Sequence, residues 1–382
     1  MKRGTFTVFL VIIFLFNPIF SPGIETRDEA EKTDDEIRTV VNPNEPLFGE
    51  ITLDLVEDLK IGKETDDNYL FFEVRDVAVD RLGNIYVADM NNYRIQKFDK
   101  NGKYLQTIGR RGQGPGEFDL PDRVRIDDIS NKIFVRDYAL FMDIFDSNGD
   151  FVKTLRFDDP IHDYFPDNEG NLFIIFYESD ETGLSHRFCK VDTEGHIIYV
   201  IAEYPYTKYY RDLGSSRISV TTGHELSIVF TKLNDRALIY GYSKEYELNI
   251  IDHSGKVLLK IIKEEPSPEF TKREKERYKK LGVPKHKPYF YSIFADDCGR
   301  IYAQKSIIHR NDDDTHNRVD IFGKDGHFLY KSSLPRNTRV IRNGFLYAYE
   351  VNNQDGVEYV KRYKIKNWDQ IKSSRCSNSK LG

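Results

Sequence analysis

Apolar and polar positions alternate along this chain in short runs punctuated by turns. The clearest stretch is Phe72–Phe118. Val77–Val79 reads as a strand, Asp80–Asn84 as a turn and Ile85–Ala88 as a second strand. Arg94–Phe98 is a third strand, Asp99–Gly102 a turn and Tyr104–Ile108 a fourth. Short runs rich in Val, Ile, Tyr and Phe, bounded by Gly, Asn and Asp, predict antiparallel strands joined by hairpins, because those turn residues accept backbone angles that others resist. One four-stranded sheet of this size is marginal alone.

Fainter copies follow it. In the second, Leu120–Phe157, residues Asp122–Asp127 stand where Arg75–Asp80 stood, Ile133–Asp137 where Ile85–Asp89 stood, and Asp143–Gly149 where Gln96–Gly102 stood. The third keeps Asp167–Ile174 and Val191–Gly195; the fourth, Glu225–Val229 and Leu248–Gly255. The fifth keeps Asp296–Ala303 and Asp320–Gly326; the sixth, Arg342–Ala348 and Tyr359–Ile365. Such a period marks a repeat architecture. Val77 and Val79 share a face, but Ile95 and Phe98 do not, as in strands covered on both sides. The expected fold is therefore all-β: a six-bladed β-propeller of four-stranded antiparallel blades. The sixth repeat lacks a fourth strand. Ile51, Leu53 and Leu55 alternate with polar residues within Gly49–Val56. That N-terminal strand is expected to pair beside Tyr359–Ile365 and close the last blade.

The rest of the chain sorts around this domain, 48–368. Residues 1–23 have the parts of an export signal: Lys2 and Arg3, an apolar run Phe6–Phe16, then Asn17 and Pro18. The run is short for a membrane span, which needs about 20 residues. The protein is expected to be exported, periplasmic or extracellular (secreted), touching a membrane only if this segment stays uncleaved as an anchor. Residues 24–47, charged and broken by Pro43 and Pro46, read as a linker, and 369–382 as a flexible tail. One helical insertion is expected at 264–287, with Ser267 as N-cap, Pro268 at its first position, a stripe of Phe270, Arg277, Tyr278 and Leu281, and a stop at Gly282 and Pro284. It either packs on the ring edge or lids the channel.

Composition narrows the function. Hydrophobic residues are 39% and charged residues 31%, as in a globular domain. The net charge of −6 argues against a nucleic-acid partner, whose sites are normally basic. Three cysteines, Cys189, Cys298 and Cys376, are too few and scattered for a disulfide framework.

Gly112–Phe118 (GQGPGEF) and Gly83–Asp89, with Asn92 and Arg94–Asp99, resemble the NHL-repeat family of β-propellers. The likeness is strong over 71–118 and fades after 157. The whole plan is similar to exported bacterial six-bladed propeller proteins. The resemblance implies a closed ring used for binding. It transfers no activity, because the shared residues are turn and packing residues.

Candidate chemistry is sparse. No nucleophile elbow, phosphate-binding loop or H-E-x-x-H helix occurs. Some propellers of the resembled kind hold a metal through His for lyase chemistry. Of nine histidines, His196, His253 and His327 fall in or beside outer hairpin turns; His162, which opens the inner strand of the third repeat, is the best candidate, as a ligand or as a polar lining residue of the channel. Calcium-dependent lactonases also use propellers; Asp76, Asp122 and Asp163 either converge on calcium or pair with Arg75 and Arg123. Asp146–Asp150 reads as a hairpin turn and Asn311–Asp314 as a solvated loop tip. No other cofactor is expected.

A propeller sets its inner strand starts around one channel mouth. Those positions give Arg75, Asp76, Asp122, Arg123, His162, Tyr164, Tyr289 and Arg339. Mixed Arg, Asp and aromatic groups suit a polar ligand. The expected function is binding of a protein, peptide or glycan at that mouth; the alternative is a metal-assisted lyase or lactonase.

Overall fold

A computed structural model describes residues 37–180, 183–206, 209–212, 217–220, 224–279, 285–305, 316–352 and 356–374. The segment 1–23, most of the expected linker, Leu281, Gly282, Pro284, Asn311–Asp314 and Cys376 lie outside them.

Six antiparallel four-stranded sheets follow one another. Their first strands are Val74–Val79, Pro121–Ile126, Ile161–Pro166, Ile228–Asn234, Ser292–Ala295 and Thr338–Arg342. First strands of neighbouring blades run side by side about the axis. Apolar clusters fill the spaces between blades, so each sheet is covered on both faces. Phe134 and Ile144 of blade two pack with Tyr164 and Ile174 of blade three, and Tyr302 and Ile321 of blade five pack with Leu346 and Ala348 of blade six. Burying one such side chain contributes roughly 1.5–3 kcal/mol.

The hairpins have a common chemistry. In Asp99–Gly102 the first carboxylate accepts the N–H groups of Asn101 (2.8 Å) and Lys103 (2.9 Å). Asp146, Asp192 and Asp252 repeat both bonds. The fourth turn residue, Gly102, sits at φ +80°, where a Cβ would be strained. The GQGPGEF loop is a connector. Phe118 is fully buried, and a Cβ on Gly109 would come 2.2 Å from its ring; Glu117 takes the Gly114 N–H and Arg110.

Ring closure follows the expected plan with a shifted strand. Leu55–Ile61, rather than Gly49–Val56, pairs antiparallel with Glu358–Ile365 as the fourth strand of blade six. The alternating Ile51 and Leu53 pack between blades five and six instead. Ahead of them the chain is not a free linker. Thr39–Asn42 adds a parallel fifth strand to Val257–Lys263 of blade four. Buried Asn42 ties blade four to blade five, donating to the Ile262 and Gly326 carbonyls and accepting the Phe328 N–H. Leu47, Phe48 and Ile51 then bond to the backbone of Phe328–Lys331 on blade five. Residues 39–61 thus form a belt over the outer edges of three blades.

Two further expectations shift. Trp368–Gln370 is a short 3-10 turn rather than tail: the Arg300 guanidinium stacks 3.8 Å from the Trp368 ring and donates to the Ile371 carbonyl. The helix is Lys272–Tyr278, starting four residues later than the Ser267–Pro268 signal. Thr271 caps it, with Glu274 closing a capping box. Among the described residues no helix is long and apolar enough to cross a membrane.

Candidate functional site

The first two strands of a blade slip register at the same place in four blades. The shift falls between Val74 and Asp76, Pro121 and Arg123, Ile161 and Asp163, and Thr338 and Val340. Arg75, Asp122, His162 and Arg339 are the extra residues. A bulge frees one residue from the ladder and re-aims its side chain. Four of the eight expected mouth residues are therefore equivalent bulge positions on blades one, two, three and six.

Their neighbours form a chain of charges. Arg339 lies 3.5 Å from Asp76 and donates to the Arg75 carbonyl. Buried Asp76 accepts Arg125 at 2.6 Å, Arg125 reaches Asp163 at 3.3 Å, and Asp163 accepts Arg123 at 3.2 Å. Burial opposes the charge on Arg123, but Asp163, Asp76 and Asp122 together raise its pKa above the ordinary arginine value. Asp122 is held by two of the three Arg136 nitrogens, Nε at 2.7 Å and Nη2 at 2.5 Å. Arg75, half exposed, pairs with Glu73. The three acids proposed to converge on calcium thus each face an arginine. Of the two expected partners, Arg123 pairs with Asp163, whereas Arg75 pairs with Glu73 instead; the remaining partners are Arg125 and Arg339 for Asp76, Arg136 for Asp122, and Arg125 for Asp163.

His162 belongs to a ring cluster with Tyr177, His186 and Tyr206, with centroids 4.5–5.0 Å apart. Burial, then Arg123 and Arg136, pushes its pKa down to about 3. Burial, then His162, takes His186 to about 2. Both rings are neutral at pH 7. Sequence reading missed His186, which lies on a middle strand with no local signature, and Arg125, whose two-residue spacing from Arg123 was the available signal.

Two expected mouth residues do not join this group. Tyr164 is fully buried, its hydroxyl donating to the Phe134 (2.7 Å) and Arg123 carbonyls, so it is a packing residue between blades two and three. Tyr289 bonds Ser267 and the Glu265 carbonyl and stacks near Tyr246, in the sector of blades four and five. The insertion docks there. Phe270 and Tyr278 are buried against His224, whose Nδ1 lies 2.9 Å from the Tyr291 hydroxyl and whose Nε2 is 3.7 Å from Glu274. His224 and Tyr291 just precede inner strands, so the helix sits at the rim of the same mouth.

The opposite end of the channel is bridged. Arg81, in the first turn of blade one, meets Asp235, in the first turn of blade four, at 2.6 Å. Those blades face each other across a six-blade ring. Arg342 of blade six holds both oxygens of Asp128 of blade two at 3.0 Å, and Asn168 donates to the Asp235 carbonyl. Among the described residues the three ligating side chains that gather closely are Asp296, Asp297 and Cys298, far from the mouth in a blade-five turn. Asp296 is already taken by two backbone N–H groups, Arg300 and Tyr302.

The model of a family described as "6-bladed beta-propeller" matches residues 29–251, more than half of the chain. The chain belongs to the 6-bladed beta-propeller family. Solved structures from two Bacteroides species match this chain. One, named as an exported protein of Bacteroides fragilis, is 12% identical with a TM-score of 0.53, covering 86% of this chain and 100% of its own. The other, a DUF4221 family member from Bacteroides vulgatus, is 14% identical with a TM-score of 0.49, covering 82% and 98%. At 12% identity the Bacteroides fragilis protein bears on fold alone. The Drosophila melanogaster protein brain tumor is 33% identical over 131 residues, 34% of this propeller. The chain spans about a tenth of that relative's length.

Proposed function

We propose that this propeller is an exported binding protein that takes a protein, peptide or glycan at the bulged channel mouth. The observation that carries the reading is the fourfold repetition of the bulge. Arg75, Asp122, His162 and Arg339 are turned out of the ladder at equivalent positions, on the end of the channel that no ion pair spans among the described residues. Their paired charges and neighbouring rings suit polar groups set on a flat or extended partner. The early blades are of NHL type on this reading, supported by the motifs over 71–118. Export is supported by the signal-like residues 1–23.

Glycan and peptide arrays probed with the wild type and with an Arg75→Glu/Arg339→Glu variant test it. The reading expects specific hits that the variant loses at unchanged melting temperature; hits kept by the variant would refute it. Elemental analysis addresses the lyase or lactonase reading. A calcium ion at the mouth would have to displace arginines from Asp76, Asp122 and Asp163, so stoichiometric calcium or zinc in purified protein would favour the enzyme.

A further inference from the structure

A concavity of about 240 Å³ lies at the junction of blades one and six, on the face opposite the mouth. Its charged lining is all of one sign: Arg81, Lys100, Arg342 and Arg362, with no carboxylate. The acids that neutralise the arginines stand outside the lining. Arg81 pairs with Asp235, Arg342 with Asp128, and Arg362 with both oxygens of Asp58 at 3.0 Å. Those pairs, with bonds from Arg342 to the Val79 carbonyl and from Arg362 to the Lys100 carbonyl, fix the guanidiniums in place. Lys100 is exposed, beside the charged Asp99. Its neighbour Asp99 is occupied by its own hairpin, accepting Asn101 and Lys103. The lining itself thus carries four cations and no carboxylate, while the acids beside it, Asp58, Asp99, Asp128, Asp235 and Asp297, which accepts the Asn343 N–H, stand outside the lining. Phe345 and Tyr347 give it an apolar wall, with the Arg362 guanidinium stacked 4.7 Å from the Phe345 ring.

We propose that this concavity is a binding site for a compact organic anion: one carboxylate or phosphate on a single ring or short apolar body. The volume is below the usual range for drug-sized ligands, which selects for a small body. The fixed guanidiniums and exposed ammonium select for negative charge, since pre-set donors lose little freedom when a ligand arrives. The site is independent of the mouth. Because its walls come from the first and last blades, an occupant also ties the ring's closing seam.

Isothermal titration calorimetry on the full chain tests the proposal with benzoate, phenyl phosphate and neutral benzamide as probes. The expected result is saturable one-to-one binding of at least one anion, with benzamide at least tenfold weaker. Lys100→Glu should weaken the anion at least tenfold, while Lys103→Glu on the same hairpin leaves it unchanged. A preference between the two anions identifies the carboxylate or phosphate source. No saturable binding of either anion, equal binding of benzamide, or affinity unaffected by Lys100→Glu would each overturn it.

Discussion

Asp143 shows what a single residue costs in this fold. It sits on the third strand of blade two with 4% of its surface exposed, bonded to the Thr154 hydroxyl. Burial, only partly offset by Thr154, pushes its pKa up to about 6. A carboxyl whose folded pKa is raised favours folding below its unfolded value and loses that contribution as pH rises through the folded one. The window here runs from about pH 4 to about pH 6. Asp143→Asn keeps a group able to bond Thr154 and removes the ionisation. It should raise stability at pH 7 by about 1–3 kcal/mol and leave it unchanged near pH 4, measured by urea unfolding at both values. The turn aspartates were legible in the sequence as turn formers. Their bonding to the second and fourth residues onward is local, and local chemistry repeats wherever Asp-x-x-Gly repeats. Asp143 was not legible as a buried acid, because its burial depends on strands that follow it.

At the scale of elements, strands and hairpins were readable and their irregularities were not. A bulge is one extra residue, and Arg75 or His162 carries no mark of it until its strand is paired. The belt was hidden by composition: Pro43, Pro46 and flanking charges resemble a linker, and Asn42 is polar yet 3% exposed because it bridges two blades. The helix start was readable in Thr271–Glu274, a better capping pattern than the Ser267–Pro268 signal. The closing strand carries the clearest prediction. Ile61 is 2% exposed and packs with Val77, Val79 and Val360 of blades one and six. Ile61→Ala should lower stability by about 2–4 kcal/mol in chemical denaturation. A chain beginning at residue 48 keeps Leu55–Ile61 and should melt slightly lower. One beginning at residue 62 should melt far lower, with an open sixth blade. Equal melting of both truncations would remove the closure from the account.

For the whole molecule, the number of blades came from counting repeats, because every blade takes at least three consecutive strands from contiguous chain, and only the sixth borrows its fourth from Leu55–Ile61. What joins distant blades did not. Arg81 and Asp235 are 154 positions apart, and their meeting follows only from placing blade one opposite blade four. That ion pair gives the channel two unlike ends: a turn face tied across its diameter, and a mouth edged by four bulges. Hydrogen exchange of the full chain, with and without a ligand drawn from the arrays, tests this polarity most directly. The account predicts slowed exchange at residues 73–76, 120–123, 160–163 and 337–340, with the turn face and the outer strands unchanged. Protection confined to the outer strands, or to the turns around Arg81 and Asp235, would contradict it.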